Sequence, residues 1–155
     1  MFGHDVDDRG SGGAVRRRPC SRGCYGSGEK LAYLNEVPAG PWLAVPLAEV
    51  DLSTLTQWDM PAYLQAWERL RTFASAHLAA GVARFASMPD VGAGVDKEVA
   101  LALCEPLGAA QTRIWQAKRS VRLLPRVWRS MANGDLSDRH VAKVVDATAS
   151  VDDRN

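Results

Sequence analysis

The chain has 155 residues, enough for one domain whose core removes roughly two-thirds of the unfolded surface from water, and too few for two full domains. Its 19 Lys and Arg against 18 Asp and Glu leave a formal charge of +1, so the whole-chain balance points to neither nucleic acid nor membrane and any electrostatic argument must be local. Uncharged stretches such as Val37–Ala48 and Thr72–Val82 fall well short of the ~20 residues of a membrane span, which excludes a spanning helix.

Seven of the 13 glycines lie in the first 28 residues, beside Asp5, Asp7, Asp8 and the triplet Arg16, Arg17, Arg18. Large apolar side chains are almost lacking there, so residues 1–35 are expected to form a disordered Gly/Arg-rich tail that cannot offset its ordering entropy. Pro19, Cys20, Ser21 and Arg22 follow the arginines where an export signal needs an apolar core, which makes the cytoplasm the expected location. Three cysteines, Cys20, Cys24 and Cys104, make an odd count that suits free thiols in a reducing compartment. Cys20 and Cys24 have no second Cys or His pair at ligand spacing, and His4, His77 and His140 are scattered, so no metal site is expected. Gly23–Lys30 resembles a phosphate loop only superficially, because Glu29 precedes the lysine and Leu31 stands where Ser or Thr should follow.

The domain proper is expected over 36–155. Pro38, Pro41 and Pro46 around Trp42, Leu43, Val45, Leu47 and Val50 suggest a tether leading into one short helix. Asp59 can then cap a long helix near 59–86, with Pro61 tolerated in its first turn. Met60, Leu64, Trp67, Leu70, Ala74, Leu78, Gly81 and Phe85 recur in steps of three and four and are expected to be its buried stripe. Asp96 can cap a shorter helix through Leu103. Ile114, Ala117, Val121 and Leu124 mark the apolar face of the next, from Ala109 to Leu124. Pro125 begins another helix that stops at Asn133-Gly134, and Ser137 or Asp135 opens the last, with Val141, Val144, Val145 and Thr148 buried. No alternating strand pattern of useful length occurs, so the expected class is all-α. A terminal apolar-faced helix followed only by Val151–Asn155 reads as an incomplete, truncated multi-helix domain.

Between Pro106 and Gly134 the charged residues are Arg113, Lys118, Arg119, Arg122, Arg126 and Arg129, with no Asp or Glu. On a helical wheel Gln111, Lys118, Arg119 and Arg122 oppose the Ile114, Ala117, Val121, Leu124 stripe, and Arg113 lies nearer the apolar side. Gln, Lys and Arg projecting together can neutralise phosphates and, in a major groove, reach base edges. Gln111, Lys118, Arg119, Arg122, Arg126 and Arg129 are therefore the candidate nucleic-acid-binding residues, with a solvated helix face as the competing reading. Trp115 falls on the cationic side but is expected to pack against another helix, since large aromatics usually bury most of their area. The helices near 96–124 have a helix-turn-helix outline, with Gly108 the natural turn glycine only if Pro106 ends the first helix. His140 with Asp138 and Asp135 imitates an acid-base group, but the first turn of a helix explains those carboxylates through its dipole.

Three segments resemble the 13E12 repeat family, found mainly in actinobacteria: Leu64–Ala86, LQAWERLRTFASAHLAAGVARFA; Glu98–Leu103, EVALAL; and Leu123–Thr148, LLPRVWRSMANGDLSDRHVAKVVDAT. The resemblance covers about residues 36 to 151. It implies the helical N-terminal portion of proteins whose longer members continue into a metal-dependent HNH endonuclease domain. Nothing in this chain offers the histidine base and metal ligands of such a site, so no catalytic residue, metal or cofactor is carried over. The expectation is a non-catalytic, DNA-associated module with double-stranded DNA as partner. The alternatives are a helical protein-interaction or oligomerisation element, or an inactive truncated remnant.

Overall fold

The computed structural model describes residues 27–92 and 94–152. Most of the expected N-terminal tail, with His4, Cys20 and Cys24, lies outside the described residues. Among these the fold is all-helical, as expected, and contains no strand. The helices are α1 (Ser27–Glu36), α2 (Ala44–Ala48), α3 (Met60–Phe85), α4 (Val95–Leu103), α5 (Leu107–Arg122), α6 (Pro125–Ala132) and α7 (Asp138–Asp152), with short 3-10 turns at Pro41–Leu43 and Leu52–Thr54.

At 26 residues, about 39 Å of rise, α3 runs along three separate apolar clusters. Its N-terminal half meets α1 and α2 through Leu31, Leu34, Leu43, Leu47 and Ala66. Its C-terminal half packs on α4 and α5 through Val82, Ala83, Val99, Ala110, Ile114 and Ala117. Between them, Ala76 meets Met131 of α6 and Val141 and Val145 of α7.

This geometry bears out part of the expected stripe, since Trp67, Leu70 and Phe85 pack against the clusters, and corrects the rest. Leu64 is 59% exposed, and Met60, Ala74, Leu78 and Gly81 are also exposed. The buried positions are Ala66, Thr72, Ala76, Val82 and Ala83. A helix contacted on several sides lets its neighbours approach closest at small side chains, so burial follows the alanines and the leucines stay at the rim. The periodicity named the element but not its inward face.

The tail boundary is also corrected. Residues 27–35 are helical, with Leu31 fully enclosed and Leu34 buried. Three hydrogen bonds from the Arg69 guanidinium hold the end of α1: Nη1 donates to the carbonyls of Leu34 at 3.1 Å and Asn35 at 2.7 Å, and Nη2 to that of Val37 at 2.7 Å. They satisfy carbonyls that a helix C-terminus otherwise leaves without partners. The segment 36–51 is likewise more than a tether, because Ala39, Leu43 and Leu47 are all core residues.

The caps differ in detail from expectation. Asp59 does not cap α3. Its carboxylate turns back to accept from the Thr56 N–H at 3.0 Å and the Thr56 hydroxyl at 2.7 Å, while the Trp58 N–H reaches Thr56 Oγ1 at 3.3 Å. Thr56 thus heads a capping box with Asp59 as its acidic member, and those hydrogen bonds hold the Asp59 carboxyl below its usual pKa. Gly94, not Asp96, stands at the cap of α4. Pro125 opens α6, as expected, and α5 ends at Arg122 rather than Leu124.

Two turns close by the same device, a left-handed residue followed by an N–H that reaches back five residues. After α4 the left-handed residue is Cys104, at φ 53°, and Glu105 N–H meets Ala100 O at 2.9 Å. Gly108 is therefore not the turn glycine and lies inside the first turn of α5. After α6 it is Gly134, at φ 79°, and Asp135 N–H meets Ser130 O at 2.9 Å. A Cβ at Gly134 would lie 2.7 Å from Ala39 Cβ and 3.1 Å from Arg69 Cβ.

Gly134→Ala should therefore lower stability by about 2 kcal/mol, from left-handed strain plus overlap with Ala39. Cys104→Gly, at an exposed left-handed position, should raise it by about 0.5–1 kcal/mol. Urea unfolding of the two variants checks both signs; a neutral Gly134→Ala would refute the tight junction with Ala39.

Candidate nucleic-acid interface

The expected helix-turn-helix outline is present as α4, the three-residue link Cys104–Pro106, and α5. The buried face of α5 is Ala110, Ile114, Ala117 and Ser120. Its opposite face carries the candidate side chains, but they do not form one equivalent set.

Gln111 is exposed, yet its amide donates to Asp96 Oδ2 at 2.8 Å, tying it to the first turn of α4. That bond holds the Asp96 carboxyl below its usual pKa. Arg113, the basic residue on the apolar flank, is paired with Glu105: Nε donates to Oε2 at 3.0 Å and Nη2 to Oε1. The pairing lowers the Glu105 pKa and raises that of Arg113. Arg113 is thus committed to the α4–α5 link.

Lys118 is half-buried and Arg122 is exposed. The Arg122 guanidinium crosses to α3, where Nη2 donates to the Ser87 hydroxyl at 2.6 Å. Arg119 is half-buried, with its guanidinium carbon 5.5 Å from the Trp115 ring centroid, within cation–π range. Arg126 and Arg129 stand exposed on α6. Among the described residues none of Lys118, Arg122, Arg126 and Arg129 forms an ion pair.

Trp115 corrects the expectation that it packs against another helix. It is 41% exposed on the cationic face, where the wheel placed it. The tryptophan of the basic run that anchors helices is Trp128, whose Nε1 donates to Ala76 O of α3 at 3.0 Å. Arg84 has no local signal in the sequence that would single it out. It is exposed near the end of α3 and lines, with Ala80, Ala83, Ser87, Val121 and Arg122, a shallow hollow of about 200 Å³. Only the packing of α3 on α5 brings Arg84 to Arg122.

Two further carboxylates are held away from this face, on α3 and α7. Arg71 of α3 donates to both oxygens of Glu68, at 2.8 and 2.7 Å, and to both oxygens of Asp138 in α7, each at 2.9 Å. The Arg71 guanidinium holds both carboxyls below their usual range, and they in turn raise the Arg71 pKa. Ser137 Oγ and His140 Nδ1 are 2.8 Å apart across the first turn of α7, and with Asp138 they form a helix start rather than an acid-base group. Among the described residues no three His, Cys, Asp or Glu side chains are grouped to hold a metal ion. No described helix is long and apolar enough to cross a membrane.

Because the folded carboxyls of Asp138 and Glu68 titrate below their unfolded values of about 3.9 and 4.3, their stabilisation is present above those values and disappears as pH falls through the folded ones. Thermal melts should therefore show wild type losing stability more steeply than Asp138→Asn as pH falls below about 5. At pH 7 that variant should be less stable by roughly 0.5 kcal/mol, the pair being partly solvated. Parallel pH profiles for the two proteins would exclude the α3–α7 bridge as a stabilising contact.

Comparison with protein-family models, curated protein sequences and solved structures finds no match to this chain.

Proposed function

We propose that this chain is a non-catalytic helical module that associates with DNA through the outer faces of α5 and α6. The observation that carries the reading is the partition of charge. Glu68, Asp138 and Glu105 are drawn onto Arg71 and Arg113, whereas Lys118, Arg122, Arg126 and Arg129 are left without ion pairs among the described residues. Such a surface favours a polyanion, and phosphate neutralisation needs no catalytic group. The resemblance of Leu64–Ala86, Glu98–Leu103 and Leu123–Thr148 to the 13E12 repeat family supports the same assignment, with this module positioning a nuclease domain in longer relatives.

A second reading, a helical protein-interaction element, is favoured by a different surface. An apolar trough of about 430 Å³ lies between α3 and α4, lined by Leu78, Gly81, Phe85, Val99, Ala102 and Leu103, and Leu101 on α4 is 82% exposed. Exposed apolar area of this kind marks contact sites in soluble proteins. Light scattering separates the two readings: size that grows with concentration, without DNA binding at low salt, favours the trough.

The DNA reading is tested by the salt dependence of binding. With Lys118, Arg122, Arg126 and Arg129 each meeting one phosphate, log affinity against log salt should have a slope no steeper than about −4. Replacing all four by alanine should abolish most of the affinity. Undiminished binding by the quadruple variant would remove this surface from consideration.

A further inference from the structure

We infer that the outer face of α5 takes a single strand of nucleic acid, with one base stacked on Trp115 and neighbouring phosphates met by Lys118, Arg122 and Arg84. The inference rests on the nucleic-acid reading of the same surface and names the form it recognises. Trp115, Lys118 and Arg122 are spaced by three and four residues and so share a face of α5, with Trp115 and Arg122 about 10 Å apart along the axis. Arg122 leans across to Ser87, which places it beside Arg84 at the shallow hollow floored by Ala80, Ala83 and Val121. The cationic row thus continues from α5 onto α3.

Two features favour a single strand over a duplex. Trp115 stands one turn before Lys118 at the N-terminal edge of the cationic row, 41% exposed, with the Arg119 guanidinium 5.5 Å from its ring centroid. An indole held there can stack on an unpaired base, whose face a duplex keeps inside its own stack. Gln111, the side chain best suited to reading base edges in a major groove, is already bonded to Asp96. The face therefore offers stacking and phosphate contact and little edge recognition, a combination that tolerates sequence and selects unpaired nucleotides.

Fluorescence anisotropy with the full chain, at low salt, compares a labelled oligothymidylate with a duplex of equal length. The single strand should bind several-fold more tightly. Trp115→Ala should weaken it roughly tenfold, Trp115→Phe should retain most of the affinity, and Arg84→Ala should flatten the salt slope by about 0.7. Circular dichroism of the Trp115 variants, whose side chain lies outside the three cores, verifies the fold. Equal binding of oligothymidylate by wild type and Trp115→Ala, or preference for duplex, would overturn the inference while leaving DNA association intact. Binding of neither ligand would overturn both.

Discussion

The guanidinium of Arg69 gives the apolar contact between α1 and α3 a fixed direction. It rises from the middle of α3 and donates to the carbonyls of Leu34, Asn35 and Val37, the frayed end of α1. α1 is a ten-residue helix of low apolar content, too short to persist in water by propensity alone. Satisfying three terminal carbonyls with a charged donor stabilises its end and sets Leu31 and Leu34 into the first core. Directly behind, the Arg69 backbone and Ala39 crowd Gly134, so the α6–α7 turn closes against the same point. One arginine thereby positions both the N-terminal cluster and the turn that starts the last helix.

Everything else is arranged along α3, and small side chains decide how. Ala66, Thr72, Ala76 and Ala83 let the other helices approach one rod at successive heights, each group with its own apolar cluster. Trp128 and Arg71 add a directional contact at the middle level, one to a backbone carbonyl and the other to Asp138. Leu64 and Leu78 remain at the surface because the approach of neighbours is closest where no bulk intervenes.

The same packing distributes charge. Acidic residues sit where they complete helix starts and links, at Asp59, Asp96, Glu105 and Asp138, and several of them take an arginine or glutamine as partner. What the links do not use is left on the outside of α5 and α6. A nearly neutral chain consequently carries a cluster of exposed basic side chains, with a partly exposed indole beside it and Arg84 contributed from a distant part of the sequence.

The residues alone determined the helical class, the span of α3, the start of α6 at Pro125 and the acid-free run, and they placed the start of α7 within a few residues, at Ser137 or Asp135, because proline, glycine, capping residues and period are local properties. They also placed Trp115 on the cationic side, while the general tendency of tryptophan to be buried pointed the wrong way. The tertiary structure decided which face of α3 is inward, since that depends on where the other helices stand and not on which side chains are most apolar. It decided that Cys104, not Gly108, turns the chain, because the 6→1 bond to Ala100 can offset the strain of a non-glycine residue. It decided that residues 27–35 fold, through an arginine more than thirty positions away. And it separated the basic residues committed to ion pairs, such as Arg113, from those without one among the described residues, a distinction that lies in pairings between helices and is invisible in composition.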